Sequence, residues 1–266
     1  MIRGKETRSR VMRRVAVGAA ATVLLACMVT SAAGAAPTGG FAVFAQCPTH
    51  AGNVDGCIYA RIEGGYMAIG KTVVPITTTQ VLQGGLLVPE APGVKKLIGA
   101  LNGETFSKAG QVIPGGLLGR TLIAVPELAA PASSVVLNPA AEQLGSGTAL
   151  TLPLKIKLDN PLLGAECEIG SRTDPIVLNL TTGATGDGLG GNPGSIKGTE
   201  GGLILRLSGA SLVSSAFTAP QAGGCGSSFV DALVDARMGL PTSRNEVAFN
   251  ARMEIADSEA VEEAEG

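Results

Sequence analysis

The 266-residue chain contains no tryptophan, two tyrosines, six phenylalanines and a single histidine, His50. With aromatics at 3% and aliphatic residues abundant, a core has to be assembled from Val, Ile, Leu and Ala. The missing tryptophan also removes the best stacking platform for sugars. One histidine and no C-x-x-C pair leave little from which to build a zinc site. As a general base, His50 would need a nucleophile and an orienting carboxylate. Asp55 is near it in sequence, but no serine sits in a G-x-S-x-G elbow, so His50 reads as an exposed loop residue. Asp187-Gly188 lacks the alternating Asp/Asn ligands of a calcium loop.

The first 35 residues are organised as an export signal. Arg3, Lys5, Arg8, Arg10, Arg13 and Arg14 precede an apolar run from Val15 to Val29. Ala33-Gly34-Ala35 fits the A-x-A rule, which predicts cleavage after Ala35. The run falls short of the roughly 20 residues of a spanning helix. Leu24-Leu25-Ala26-Cys27 also reads as a lipobox, which makes Cys27 a candidate lipidation site that would anchor the protein without a spanning helix. Secretion or attachment to the cell envelope is the expected localisation. Six of the 20 basic and one of the 22 acidic residues lie in this segment, leaving 14 against 21, a net charge of −7. Such a surface has no electrostatic basis for binding nucleic acid, whose affinity rests on Lys/Arg–phosphate contacts.

Beyond Cys27 the cysteines number four, Cys47, Cys57, Cys167 and Cys225, an even set for an oxidising compartment. Three pairings exist. Cys47 with Cys57 and Cys167 with Cys225 is preferred, because the first pair flanks the turn-rich Pro48, Gly52, Asn53 and Gly56. Zinc is the alternative use of the same residues.

Period-two alternation dominates the rest of the chain. Leu150, Leu152, Leu154, Ile156 and Leu158 alternate with Thr151, Pro153, Lys155 and Lys157, a strand with one buried face. Pro153 removes a ladder donor and predicts an edge or a bulge. Similar patterns mark Ile176–Leu180, Leu203–Leu207 and Val247–Ile255, with shorter ones at Ile58–Ile62, Tyr66–Ile69, Thr72–Ile76, Thr121–Val125 and Ser134–Leu137. Two short helices are expected. Val94, Leu97, Ile98 and Leu101 follow i, i+3, i+4, i+7 spacing, and Ser228 with Asp231 resembles a capping box for a helix ending at Met238 before Gly239. Residues 183–202 read as a mobile glycine-rich loop. The expectation is a mainly β, single domain over 36–256, an antiparallel β-sandwich or distorted barrel with two short helices. Residues 257–266 follow as an acidic disordered tail carrying Asp257, Glu259, Glu262, Glu263 and Glu265.

Several motifs invite chemistry. Gly65-Tyr-Met-Ala-Ile-Gly70-Lys71-Thr72 matches the phosphate loop G-x-x-x-x-G-K-[ST]. The motif works at a helix N-terminus, whereas here Val73-Val74-Pro75-Ile76 predicts a strand, so a hairpin around Gly70-Lys71 is expected and no nucleotide. Glu63, Glu90, Glu104, Glu127 and Glu142 offer carboxylates, but glycoside hydrolysis needs a spatial pair. Asn179-Leu180-Thr181 is a formal sequon inside a predicted strand. Residues 84–89 and 112–119 are apolar and glycine-rich, read as core strand and turn, with a pocket for an apolar ligand as the functional alternative.

Phe44-Ala45-Gln46-Cys47-Pro48, Asn160-Pro161-Leu162-Leu163-Gly164 before Cys167-Glu168-Ile169-Gly170-Ser171, Pro175 to Gly183, and Gly223-Gly224-Cys225-Gly226 together resemble a group of uncharacterised secreted proteins of high-GC Gram-positive (actinobacterial) bacteria. The resemblance spans most of Phe41 to Ile255. It implies a secreted single domain with the four cysteines as structural bridges, and it carries over no catalytic residue. The function expected is therefore an exported, non-catalytic β-rich domain of the cell envelope or extracellular space, without cofactor, acting on an envelope or extracellular partner. The alternatives are a carrier of an apolar ligand or lipid, and a secreted hydrolase.

Overall fold

A computed structural model describes residues 35–88, 93–215 and 217–266. The export signal up to Gly34, the candidate lipidation residue Cys27 and the carboxylate Glu90 lie outside the described residues.

The protein is mainly β, with 14 strands among the described residues joined in antiparallel pairings. In chain order these begin with β1 (Val54–Ile69), β2 (Thr72–Pro75), β3 (Gln80–Leu87), β4 (Lys95–Ile98) and β5 (Gln111–Leu117). Next come β6 (Arg120–Leu128), β7 (Val136–Leu137), helix α1 (Pro139–Leu144), β8 (Leu150–Asp159), β9 (Glu168–Ile169) and β10 (Ile176–Leu180). The chain finishes with β11 (Ser195–Thr199), β12 (Ile204–Ser215), β13 (Ala222–Gly223), α2 (Ser228–Met238), β14 (Asn245–Asp257) and α3 (Ser258–Glu263).

The pairings close into a ring. β12 joins β14, β14 joins β1, and β1 joins β3. β3 joins β4, β4 joins β7, β7 joins β8 and β8 joins β10. A single antiparallel bridge, Thr181 to Val213, returns β10 to β12. This is a distorted barrel closed at one seam by two hydrogen bonds. β5 and β6 extend from β8 as a hairpin.

Alternation puts one side of each strand inside. Leu152, Leu154, Ile156 and Leu158 of β8 meet Ile176, Leu178 and Leu180 of β10 and Val247 and Phe249 of β14 in one aliphatic core. Each fully buried side chain of this size contributes about 1.5–3 kcal/mol by leaving water. Helix α2 packs Val234 and Met238 onto the same core. Its N-cap is Ser227, whose hydroxyl accepts from the Val230 amide, one residue before the expected cap. Asp231 instead accepts from the Cys225 amide at 2.9 Å, tying the helix to the disulfide.

Pro153 stays inside the ring without a bulge because of where its nitrogen points. Its carbonyl accepts from Ala129, so its nitrogen faces the gap between the end of β6 and the start of β7. No ladder donor is required there.

Three further expectations need correction. Val94–Leu101 is not a helix: Lys95–Ile98 is strand β4, held between β3 and β7, with only Leu97 fully buried and Leu101 exposed. The tail is not disordered, since Ser258–Glu263 is α3. Val261 packs with Phe44, Cys47, Cys57, Ile204 and Ala256 in a second cluster on the outer face of the sheet. Residues 183–202 are not a plain loop either, because they contain β11 and a bridge between Ala184 and Gly190.

Candidate functional site

The cysteines pair as Cys47–Cys57 and Cys167–Cys225. The first lies in the outer cluster, where it ties the segment just after the 3₁₀ helix Gly39–Phe44 to β1. The second lies in the main core and joins the residue before β9 to the loop ahead of α2. Two buried disulfides fit an oxidising compartment. Among the described residues no helix is long and apolar enough to cross a membrane.

The phosphate-loop match is a hairpin. Ile69 pairs with Thr72 across Gly70-Lys71, and Gly70 adopts φ 55°, which a two-residue turn demands of glycine. The turn amides are occupied: Gly70 N–H donates to Asn245 Oδ1 at 3.0 Å and Lys71 N–H to the Met238 carbonyl at 2.8 Å. Gly65 lies within β1 at φ 105°, where a Cβ would collide with the Ala248 carbonyl. Thr72 is buried beside Arg237, whose guanidinium also donates to the Gly116 and Pro114 carbonyls at 3.0 and 2.7 Å. Lys71 and Thr72 thus serve turn and packing, with no amide cradle for phosphate.

The titratable residues singled out in the sequence are dispersed. His50 is exposed and lies 3.3 Å from Glu262 and 3.4 Å from Glu265, both in the C-terminal segment. Asp55 turns instead to Lys95 at 2.7 Å. Glu63 faces Arg61 and Arg252, and Glu127 faces Lys108 and Lys155. Glu104 is exposed. Glu142 in α1 is buried, and burial pushes its carboxyl up to about 7. No two of these carboxylates share a contact, and no group of three His, Cys, Asp or Glu that could hold a metal occurs among the described residues.

Two concavities deserve chemical reading. The first is inside the barrel, about 40 Å³, walled by Ile69, Ile113, Leu154 and Phe249 with Gln80 and Gln111 at one side. Both glutamines are engaged: Gln111 accepts from the Thr77 and Thr78 amides and donates to the Thr78 carbonyl, and Gln80 donates to the Ala109 carbonyl. Segments 84–89 and 112–119 supply Leu86, Ile113 and Leu117 to the core as strand residues. The interior is therefore apolar and far smaller than the roughly 150 Å³ that accepts benzene.

The second is an open groove of about 340 Å³ on the outer surface beside the β10–β12 bridge. Asn179, Thr181, Thr185, Ser214 and Ser215 line it with amide and hydroxyl groups, and Phe217 adds an apolar surface. At its border Asp187 accepts from the Ser215 and Thr185 hydroxyls, which holds its carboxyl below the usual range. No Lys or Arg lines this groove. Sequence reading missed it: Asn179 stood out only as a sequon. Alternation tells which face a residue takes, not which strand edge lacks a neighbour.

No family model, curated protein or solved structure matches the chain.

Proposed function

We propose that this is an exported, non-catalytic β-barrel domain of the cell envelope or extracellular space, acting by binding or as a structural element. The observation that carries the reading is an aliphatic interior holding one disulfide, with the second disulfide in the outer cluster and a polar groove on the outer surface. Among the described residues the two buried carboxylates lie apart, Glu142 in α1 and Glu254 in β14 beside Arg206, and the carboxylates singled out in the sequence do not converge on a cleft. The N-terminal signal, cleaved after Ala35, supplies the export route, and acylation of Cys27 is the anchored variant of it. The net charge of −7 leaves nucleic acid without an electrostatic partner.

The carrier reading requires the barrel to open, because the interior cavity of about 40 Å³ has no room for an acyl chain. Intact mass spectrometry on protein made by a Gram-positive host, native and then denaturing, tests the proposal. The expected product starts at Ala36 and is four hydrogens lighter than the reduced chain. Retention of residues 1–35 in a reduced intracellular product would overturn export. A non-covalent apolar adduct lost on denaturation would favour the carrier.

A further inference from the structure

The seam of the barrel has unused ladder groups. In an antiparallel strand the N–H and C=O of one residue share a side, and successive residues alternate sides. Within β10, Ile176, Leu178 and Leu180 lie opposite Leu154, Leu152 and Leu150 of β8. Those β8 residues face β10, because Pro153 between them turns its carbonyl the other way, to Ala129. Thr181 points away from β8 and exchanges two bonds with Val213, each 2.8 Å. By the same alternation Val177 and Asn179 present their N–H and C=O groups on the Thr181 side. Neither has a backbone partner there among the described residues.

Continuing the Thr181–Val213 register would set Asn179 opposite Ser215. No ladder pairing joins them. The strands part at this point, and the 340 Å³ groove lies between them. Ser215 is held back by its hydroxyl bond to Asp187, and Asp187 is held in turn by Thr185. The loop that keeps the seam open is thus fixed by side-chain bonds. The side chains of Val177 and Asn179 face out of the barrel, while their β10 neighbours are fully buried.

We propose that this seam is a strand-addition site, which takes an extended segment of a partner polypeptide along the free edge of β10. Two donor–acceptor sets spaced two residues apart match the repeat of an extended backbone, and main-chain bonds of this kind supply affinity in strand addition. The lining offers no cation to an acidic side chain; its hydroxyls and the Asn179 amide suit hydroxylated side chains, and Val177 and Phe217 suit apolar ones. The proposal deepens the binding reading by naming the class of partner. An exported, oxidised protein without peptide binding would overturn this step and leave the export reading standing.

The test uses the full mature protein, disulfides intact and nitrogen-15 labelled. It is titrated with an end-blocked heptapeptide of alternating threonine and valine, and with the same peptide N-methylated at every central residue. The expected result is saturable downfield movement of the Val177 and Asn179 amide protons, with loss of binding to the methylated peptide. Val177→Pro removes one edge donor without touching a β8 bond and is expected to weaken binding about 2- to 10-fold, the worth of one net hydrogen bond. Because the methylated peptide is read on the unmutated protein, misfolding of the proline variant does not blunt the test. No shift at the two amides at millimolar peptide, or equal binding of both peptides, would overturn the proposal. Shifts confined to Thr185 and Ser215 would also overturn it, since the groove would then be bound through its hydroxyls.

Discussion

The two walls of the barrel are built to different standards. One consists of β1, β14 and β12, with 16, 13 and 12 residues, paired along most of their lengths. The opposite wall runs through β4, β7 and β10, with 4, 2 and 5 residues, around the single longer strand β8. The long wall is also covered on its outer face, where the turn Gly39–Phe44 and α3 bury Cys57 and Ala256 from the far side. The short wall ends at a seam of two hydrogen bonds. Long ladders covered on both faces resist local opening, whereas short ones with few backbone bonds open first. The difference assigns the frame to one wall and the adaptable surface to the other.

Removing the disulfides separates the walls most sharply. Cys167–Cys225 closes 58 residues and Cys47–Cys57 closes 10. On the chain-entropy model the C167A/C225A variant loses about 4 kcal/mol and C47A/C57A about 3 kcal/mol. Urea midpoints at fixed pH measure both, and a reversed order would mean the short wall depends less on its bridge than the length of the closed loop implies.

The next largest effect belongs to Glu142, beside the short wall between β7 and β8. Its folded-state carboxyl titrates near 7, above the ordinary 4.5. The protonated form is favoured in the fold, so its stability is fully present below about pH 4.5 and is lost as pH rises through about 7. The loss is of order 3 kcal/mol. Glu142→Gln should flatten the profile in that window, measured by denaturation between pH 4 and 9. An unchanged slope would place the pH dependence elsewhere.

On the long wall, Val261→Ala should cost about 2 kcal/mol by removing two methyl groups from the outer cluster. The loss should be local, seen as faster exchange of α3 amides with β1 and β14 unaffected. The smallest effect is expected from His50→Ala. Its pairs with Glu262 and Glu265 are exposed, so the change should stay below about 1 kcal/mol, and less in high salt.

Much of this architecture was written in alternation. β8 and β10 appear within one residue of the period-two segments, because each buries one face in a single core. The longer β14 and β12 were seen only in part. β14 changes its buried face along its length: Val247 and Phe249 point inward, while Ala256 packs outward under α3. The helix expected over Val94–Leu101 failed for a related reason. Four apolar residues at helical spacing are too few to outweigh the partners on either side, Leu86 across from Leu97 and Leu137 across from Lys95. The tail was misread because five acidic residues masked one valine. Val261 is fully buried, and the Ser258 hydroxyl donates to the Val54 carbonyl while Thr38 N–H donates to the Ala264 carbonyl, which together hold the helix in place. The disulfide pairing was legible from spacing. The seam was not, since it depends on which strands become neighbours.

Native-state hydrogen exchange resolved by residue tests the central claim most directly. The account predicts fast exchange at the Val177 and Asn179 amides, alternating with strong protection at Leu178 and Leu180, while β1 and β14 amides are protected to the level of global unfolding. Equal protection at all four β10 positions would show that the seam is closed, and would contradict the division between a rigid wall and an open one.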